Sequence, residues 1–146
     1  MHLINAHLYD HSVDFDSTLN NFKMLADKKL KAFVATTKPG EAKAFYNNIL
    51  GLKFLSEDEF ALEFQANETV LRIAIVQECK PQPFTVLGWD IDDIVSTIKS
   101  LSSKNIFCEK YGFLQQDHLG VWTAPNGSKV AWFKDPDGNV LSLTEK

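Results

Sequence analysis

Apolar positions from residue 31 onward follow two spacings that take turns in a fixed order. Short runs with alternating character give the period of two expected of half-buried strands, and longer stretches with apolar residues three and four apart give the period of a helix facing a core. The first apolar run is Ala32-Phe33-Val34-Ala35, followed by a helix-period stretch through Ala42, Phe45, Tyr46, Ile49 and Leu50. Three strand-like runs come next, Lys53 to Ser56, Phe60 to Gln65 and Thr69 to Val76. The sequence then starts over. Thr85-Val86-Leu87-Gly88 leads into Ile94, Val95, Ile98 and Leu101 at helical spacing, and the runs Ile106 to Tyr111, Lys129 to Lys134 and Val140 to Thr144 complete a second β-α-β-β-β series.

Local signals punctuate both series. Thr37 before Pro39, and Asp90 before Asp92-Asp93, read as helix starts, and Gly51 reads as the close of the first helix. Between the last two strands lies Asp135-Pro136-Asp137-Gly138-Asn139. There proline presets φ, glycine supplies positive φ, and the Asp and Asn side chains can bond their own backbone, so a tight antiparallel reversal is predicted.

The run Glu41-Ala42-Lys43-Ala44-Phe45-Tyr46, then Leu50-Gly51-Leu52, and the ending Phe133-Lys134-Asp135-Pro136-Asp137-Gly138-Asn139 resemble the glyoxalase / bleomycin-resistance / extradiol-dioxygenase superfamily, also called the vicinal oxygen chelate fold. The resemblance spans about residues 31–146. It implies an α+β fold in which two tandem βαβββ modules, about 31–80 and 84–146, form a curved, mostly antiparallel sheet around a cleft. It implies little about activity, because the superfamily holds lyases, isomerases, dioxygenases, thiol transferases and proteins that only sequester drugs.

A chain of 146 residues that is 45% hydrophobic, with 11 Phe and 3 Trp, can bury one sizeable core, so 31–146 is read as a single domain. A formal charge of −4 with no Lys/Arg run argues against a nucleic-acid partner. The apolar runs are too short to span a bilayer, so no membrane association is expected. No secretory pattern opens the chain, and Cys79 and Cys108 stand in no paired motif, so the expected location is the cytoplasm. Residues 1–30 lie outside the resemblance. They read as a mobile polar extension or as one amphipathic helix over 17–30, capped by Ser17 and burying Leu19, Phe22 and Leu25. His2, His7 and His11 there admit a metal reading, but a polar terminus is the simpler one.

In the metal-using proteins resembled, His, Gln or Glu side chains reach the concave sheet from the first and last strand of each module. Matched residue by residue, those positions fall on Lys31, Arg72, Phe84 and Ser142. A divalent ion needs imidazole, carboxylate or thiolate donors, and two cations with a Phe would repel it. No metal or cofactor is therefore expected. Alternation places Phe33 beside Lys31, and Trp132 on the neighbouring strand, toward the cleft. An insertion between Tyr111 and Ser128 adds Phe113, His118 and Trp122, as a lid or binding loop would. The candidate ligand-binding residues are thus Lys31, Phe33, Arg72, Phe84, Trp122, Trp132 and Ser142. Their chemistry suits a flat or apolar molecule with an anionic group for Arg72. Plainer readings stand beside these: Arg72 as a partner of Glu63 or Glu68, Lys31 as a solvated strand start, Trp132 as core volume and His118 as a solvated loop residue.

Two functions remain open at this point. One is a metal-free protein of the bleomycin-resistance type that sequesters a small molecule. The other is a glyoxalase-like lyase, isomerase or dioxygenase, either metal-dependent through other ligands or using His118 or Glu109 as acid-base groups. The resemblance also implies a homodimer with clefts built across the subunits as one arrangement, although one chain already holds both modules.

Overall fold

The computed structural model describes residues 23–146. Within Lys31–Lys146, one compact unit, the first module runs β1 (Lys31–Thr36), α1 (Pro39–Lys43), β2 (Lys53–Glu57), β3 (Ala61–Ala66) and β4 (Thr69–Ile75). The second runs β5 (Thr85–Asp90), α2 (Ile94–Ser102), β6 (Trp122–Thr123), β7 (Lys129–Lys134) and β8 (Val140–Glu145). Each module forms a four-stranded sheet, in the orders β1-β4-β3-β2 and β5-β8-β7-β6. In each the first and last strands pair in parallel and the other pairs are antiparallel. The α+β fold with repeated βαβββ modules is the one expected; the curved sheet is realised as two mixed sheets.

Alternation decides which face each strand buries. Val34, Leu71, Ile73, Leu141 and Leu143 all turn into the core, where they join Phe64 and Phe133. Fully burying each such side chain contributes roughly 1.5–3 kcal/mol. α1 widens without a break into a π-helical segment, Ala44–Ile49, that buries Phe45 and Tyr46 together. Gly51, at φ 77°, then ends it, its N–H donating to Asn47 O at 3.1 Å.

Both sheets close on this one helix. The Tyr46 ring lies 6.1 Å from Phe64 of the first sheet, and the Phe45 ring lies 6.5 Å from Phe133 of the second. The 135–139 turn is indeed the predicted reversal, and it also clasps the first module. Tyr46 Oη donates to Asp135 at 2.7 Å, Asn139 Nδ2 donates to Ala35 O at 2.9 Å, and Thr36 and Thr37 both donate to the Asp137 carboxylate.

Several expected boundaries move. Thr37 does not start the first helix; Lys38 precedes it without a side-chain cap, and the Thr37 hydroxyl serves Asp137 instead. The second helix starts at Asp93 rather than Asp90, with the Asp93 carboxylate accepting from Ser96 N at 3.1 Å. Residues 106–111 form no strand. The Gln116 side chain accepts from Tyr111 N and donates to Glu109 O, which takes up backbone groups that a ladder would need. Trp122–Thr123 pairs with β7 in their place. Residues 23–30 form turns and not a helix, leaving Leu25 exposed. The remainder of the proposed 17–30 helix, and His2, His7 and His11, lie outside the described residues.

Candidate functional site

Turned away from the core, the outer face of the first sheet presents a small charged and aromatic patch. Phe33 pairs in register with Arg72, and Arg72 with Glu63 on β3. Phe33 is 59% exposed. The Glu63 carboxylate accepts from Arg72 at 2.9 Å and from Lys31 at 3.5 Å. The Arg72 bond, reinforced by the Lys31 charge against some burial, holds the Glu63 carboxyl below its usual range. Arg72 thus has the structural partner that its plainer reading names, while remaining open to solvent on one side.

Aromatic rings cover the outer face of the second sheet. Ala131 and Phe133 enter the core, so Trp132 between them faces outward, where its Nε1 donates to Thr85 Oγ1 at 3.1 Å. The Tyr111 ring stands nearly perpendicular to Trp132 at 5.6 Å, and Phe113 lies 5.7 Å from Tyr111. Trp122 lies 6.2 Å from Trp132. Phe84, Thr85, Tyr111, Phe113 and Trp132 line a surface cavity of about 250 Å³. Phe84 and Phe113 are 60% and 84% exposed, which leaves apolar area uncovered.

Two expected positions differ in detail. The β5/β8 register shifts between Thr85 and Leu87, a bulge that sets Thr85 opposite Val140, so Thr85 rather than Phe84 takes the outward strand position. Phe84 instead sits just before the strand, at the cavity. Ser142 is on the outward face opposite Trp132 but is only 9% exposed, because it packs on Gly88. A Cβ at Gly88 would lie 2.6 Å from Ser142 Oγ.

These side chains do not suit a metal. Lys31 and Arg72 are cationic, Phe84 has no donor, and the hydroxyls of Thr85 and Ser142 are poor ligands for a divalent ion. Among the described residues no group of three or more His, Cys, Asp or Glu side chains is placed to hold one. Acid-base pairs are equally hard to assemble. His118 is exposed on a turn where the Asp117 carboxylate accepts from Leu119 N and Val121 N, not from the imidazole. Glu109 pairs with Lys134 at 3.5 Å. Burial, with Glu109 nearby, raises the Tyr111 phenol. Burial likewise pushes the Cys108 thiol up to about 11, far from a reactive thiolate.

Lys31, Phe33 and Arg72 therefore gather on one sheet, and Phe84, Trp122, Trp132 and Ser142 on the other. Among the described residues no hydrogen bond, ion pair or aromatic contact joins the two outward groups. Of the two partners the sequence offered for Arg72, the structure selects Glu63, and Tyr111 is a site residue that the sequence reading missed. The Asn67-Glu68 turn pairs Ala66 with Thr69, and counting outward from it pairs Glu63 with Arg72, so that contact was recoverable. Tyr111 had no such signal, having been read as part of a strand.

Comparison with known proteins agrees with this architecture. The sequence signature of the Glyoxalase/Bleomycin resistance protein/Dioxygenase superfamily matches residues 30–143. No curated protein matches the chain significantly in sequence. A superfamily protein from Sphaerobacter thermophilus superposes with a TM-score of 0.67 at 20% identity, covering 84% of this chain and 100% of its own. Lactoylglutathione lyase from Agrobacterium tumefaciens gives 0.65 at 16% identity, covering 83% and 95%. A glyoxalase family protein from Enterococcus faecalis gives 0.61 at 22% identity, covering 84% and 98%. At such identities the likeness is one of fold.

Proposed function

Since the chain belongs to the glyoxalase/bleomycin resistance protein/dioxygenase superfamily, we propose that it is a metal-free member that sequesters an aromatic or otherwise apolar small molecule, with room for an anionic group. The observation that carries this reading is the exchange of donor side chains for Lys31, Arg72, Ser142 and the Phe84–Thr85 corner, beside an exposed aromatic cavity. Stacking on Trp132 and Tyr111 supplies affinity, and Arg72 with Lys31 supplies the anion contact. The metal-dependent lyase or dioxygenase alternative has no donor set in its favour among the described residues.

The working unit is proposed to be a homodimer. Both sheets spend their inner faces on one shared core, so the cationic patch of one copy is free to oppose the aromatic cavity of the other. Cys79 and Cys108, both free thiols, support a cytoplasmic location. No helix among the described residues is long and apolar enough to cross a membrane.

Thermal unfolding of metal-stripped protein in EDTA tests the reading, because a ligand that binds only the native state raises stability, by about 2.7 kcal/mol at a hundred times its Kd. Aromatic carboxylates are expected to stabilise the protein without metal, with the gain reduced in Arg72→Ala and Trp132→Ala. An EDTA-reversible rise with Zn²⁺, Ni²⁺, Mn²⁺ or Fe²⁺ that survives deletion of residues 1–23 would instead establish a metalloprotein.

A further inference from the structure

The inner side of the second sheet does not close completely against the helices. Between Leu50 at the end of the π-helical segment, Leu101 on α2, and Trp89, Phe133 and Leu143 of the sheet lies an apolar cavity of about 220 Å³. It is separate from the proposed cleft. Trp89, Phe133 and Leu143 alternate along their strands with Gly88, Trp132 and Ser142, so the two sites occupy opposite faces of one sheet.

Three features make this space a site rather than loose packing. Its lining is aromatic, since it includes the nearly parallel Trp89 and Phe133 rings, 6.5 Å apart with 22° between their planes. Its walls are braced: Lys104 Nζ, just past α2, donates to Asn48 O at 3.4 Å and Ile49 O at 3.2 Å, tying the ends of both helices together beside the opening. Its rim carries Thr97 and the exposed Ser100, whose hydroxyls can orient one polar group while the interior stays apolar. Among the described residues no charged side chain lines it, so a charged guest would lose hydration without compensation. An engineered apolar cavity of about 150 Å³ already holds benzene, which sets the scale of a guest here at one substituted ring or a fused pair.

We propose that this cavity between α2, the π-helical segment and the second sheet is a second binding site, for a neutral one- or two-ring aromatic molecule. The guest touches both modules, through Leu50 on one side and Trp89 and Phe133 on the other. It does not depend on what the outer cleft binds.

Titration of ¹⁵N-labelled full-length protein with indole, followed by amide and indole N–H resonances, tests this. Saturable shifts are expected at Leu50, Leu101 and the Trp89 side chain, and they should persist in Arg72→Ala. Ser100→Phe places a ring at the opening from an exposed helix position, and is expected to weaken indole binding by about tenfold or more at an unchanged unfolding midpoint. Ser100→Leu is the milder plug should the phenylalanine variant fail to fold, and it is expected to weaken binding in the same direction. Absence of saturable shifts at these residues, shifts confined to Trp132 and Phe84, or native affinity in the folded plug variant would each overturn the assignment.

Discussion

Glu63 sets the charge that a ligand meets on the first sheet. Its carboxylate stands between Arg72 and Lys31, so the patch offers one net positive charge where the two cations alone would offer two. Glu63→Gln is expected to tighten binding of an aromatic carboxylate by up to about fivefold, the scale of a partly exposed ion pair, while a neutral analogue of the same shape binds unchanged. Calorimetric titration of both compounds checks this. Farther inside, Tyr46 Oη and Asp135 join the modules, and Tyr46→Phe should cost about 1–3 kcal/mol in urea unfolding, because the Asp135 carboxylate loses a charge-assisted bond and keeps only Asn139 as donor to that oxygen. Asp137 adds a pH dependence. Burial disfavours its charge, but bonds from Thr36 and Thr37 outweigh that and hold its pKa below the usual 3.8. A depressed folded pKa stabilises the protein above the unfolded value and is lost as pH falls through the folded one. Stability measured below about pH 4 should therefore fall less steeply in Asp137→Asn than in the native protein. Asp135 and Asp137 were legible as turn formers, because turn chemistry is local. Their bonds to Tyr46, Thr36 and Thr37 cross about a hundred positions of sequence and were not.

Strands were legible wherever one face meets the core and the other does not, as in β4 and β7, since the period of two then shows in the residue types. The failures at this scale share a cause: a side chain or backbone irregularity replaced regular pairing. Gln116 bonds the backbone of 109–111 and of Gly120, so a run with strand-like composition stays out of the ladder. The bulge before Leu87 turns Thr85 outward, and the π-helical widening after Lys43 leaves no mark in the hydrophobic spacing. Gln116→Leu should accordingly free residues 109–120, with faster hydrogen exchange at Tyr111 and Gly120 than in β7, and weaker ligand binding because Tyr111 and Phe113 lose their setting. Asp93→Ala tests the corrected helix start and should cost about 1 kcal/mol.

At the scale of the whole molecule, the repeat and the two motifs were enough to identify the fold, but not the way in which the two sheets share one core. That depends on Tyr46 and Phe45 of the π-helical segment reaching Phe64 and Phe133, a packing choice that neither module's own sequence expresses. The cationic and aromatic halves of the candidate site lie on separate sheets, whose edge strands β1 and β5 approach each other, and the homodimer proposed above would set the cationic half of one copy against the aromatic half of the other. The most direct measurement is complementation between Arg72→Ala and Trp132→Ala chains, refolded together and titrated with an aromatic carboxylate. Each variant alone is expected to bind weakly, whereas in an equal mixture half the dimers should be mixed and about a quarter of all clefts should bind with native affinity. A mixture that binds no better than its two components would contradict a metal-free cleft shared between copies.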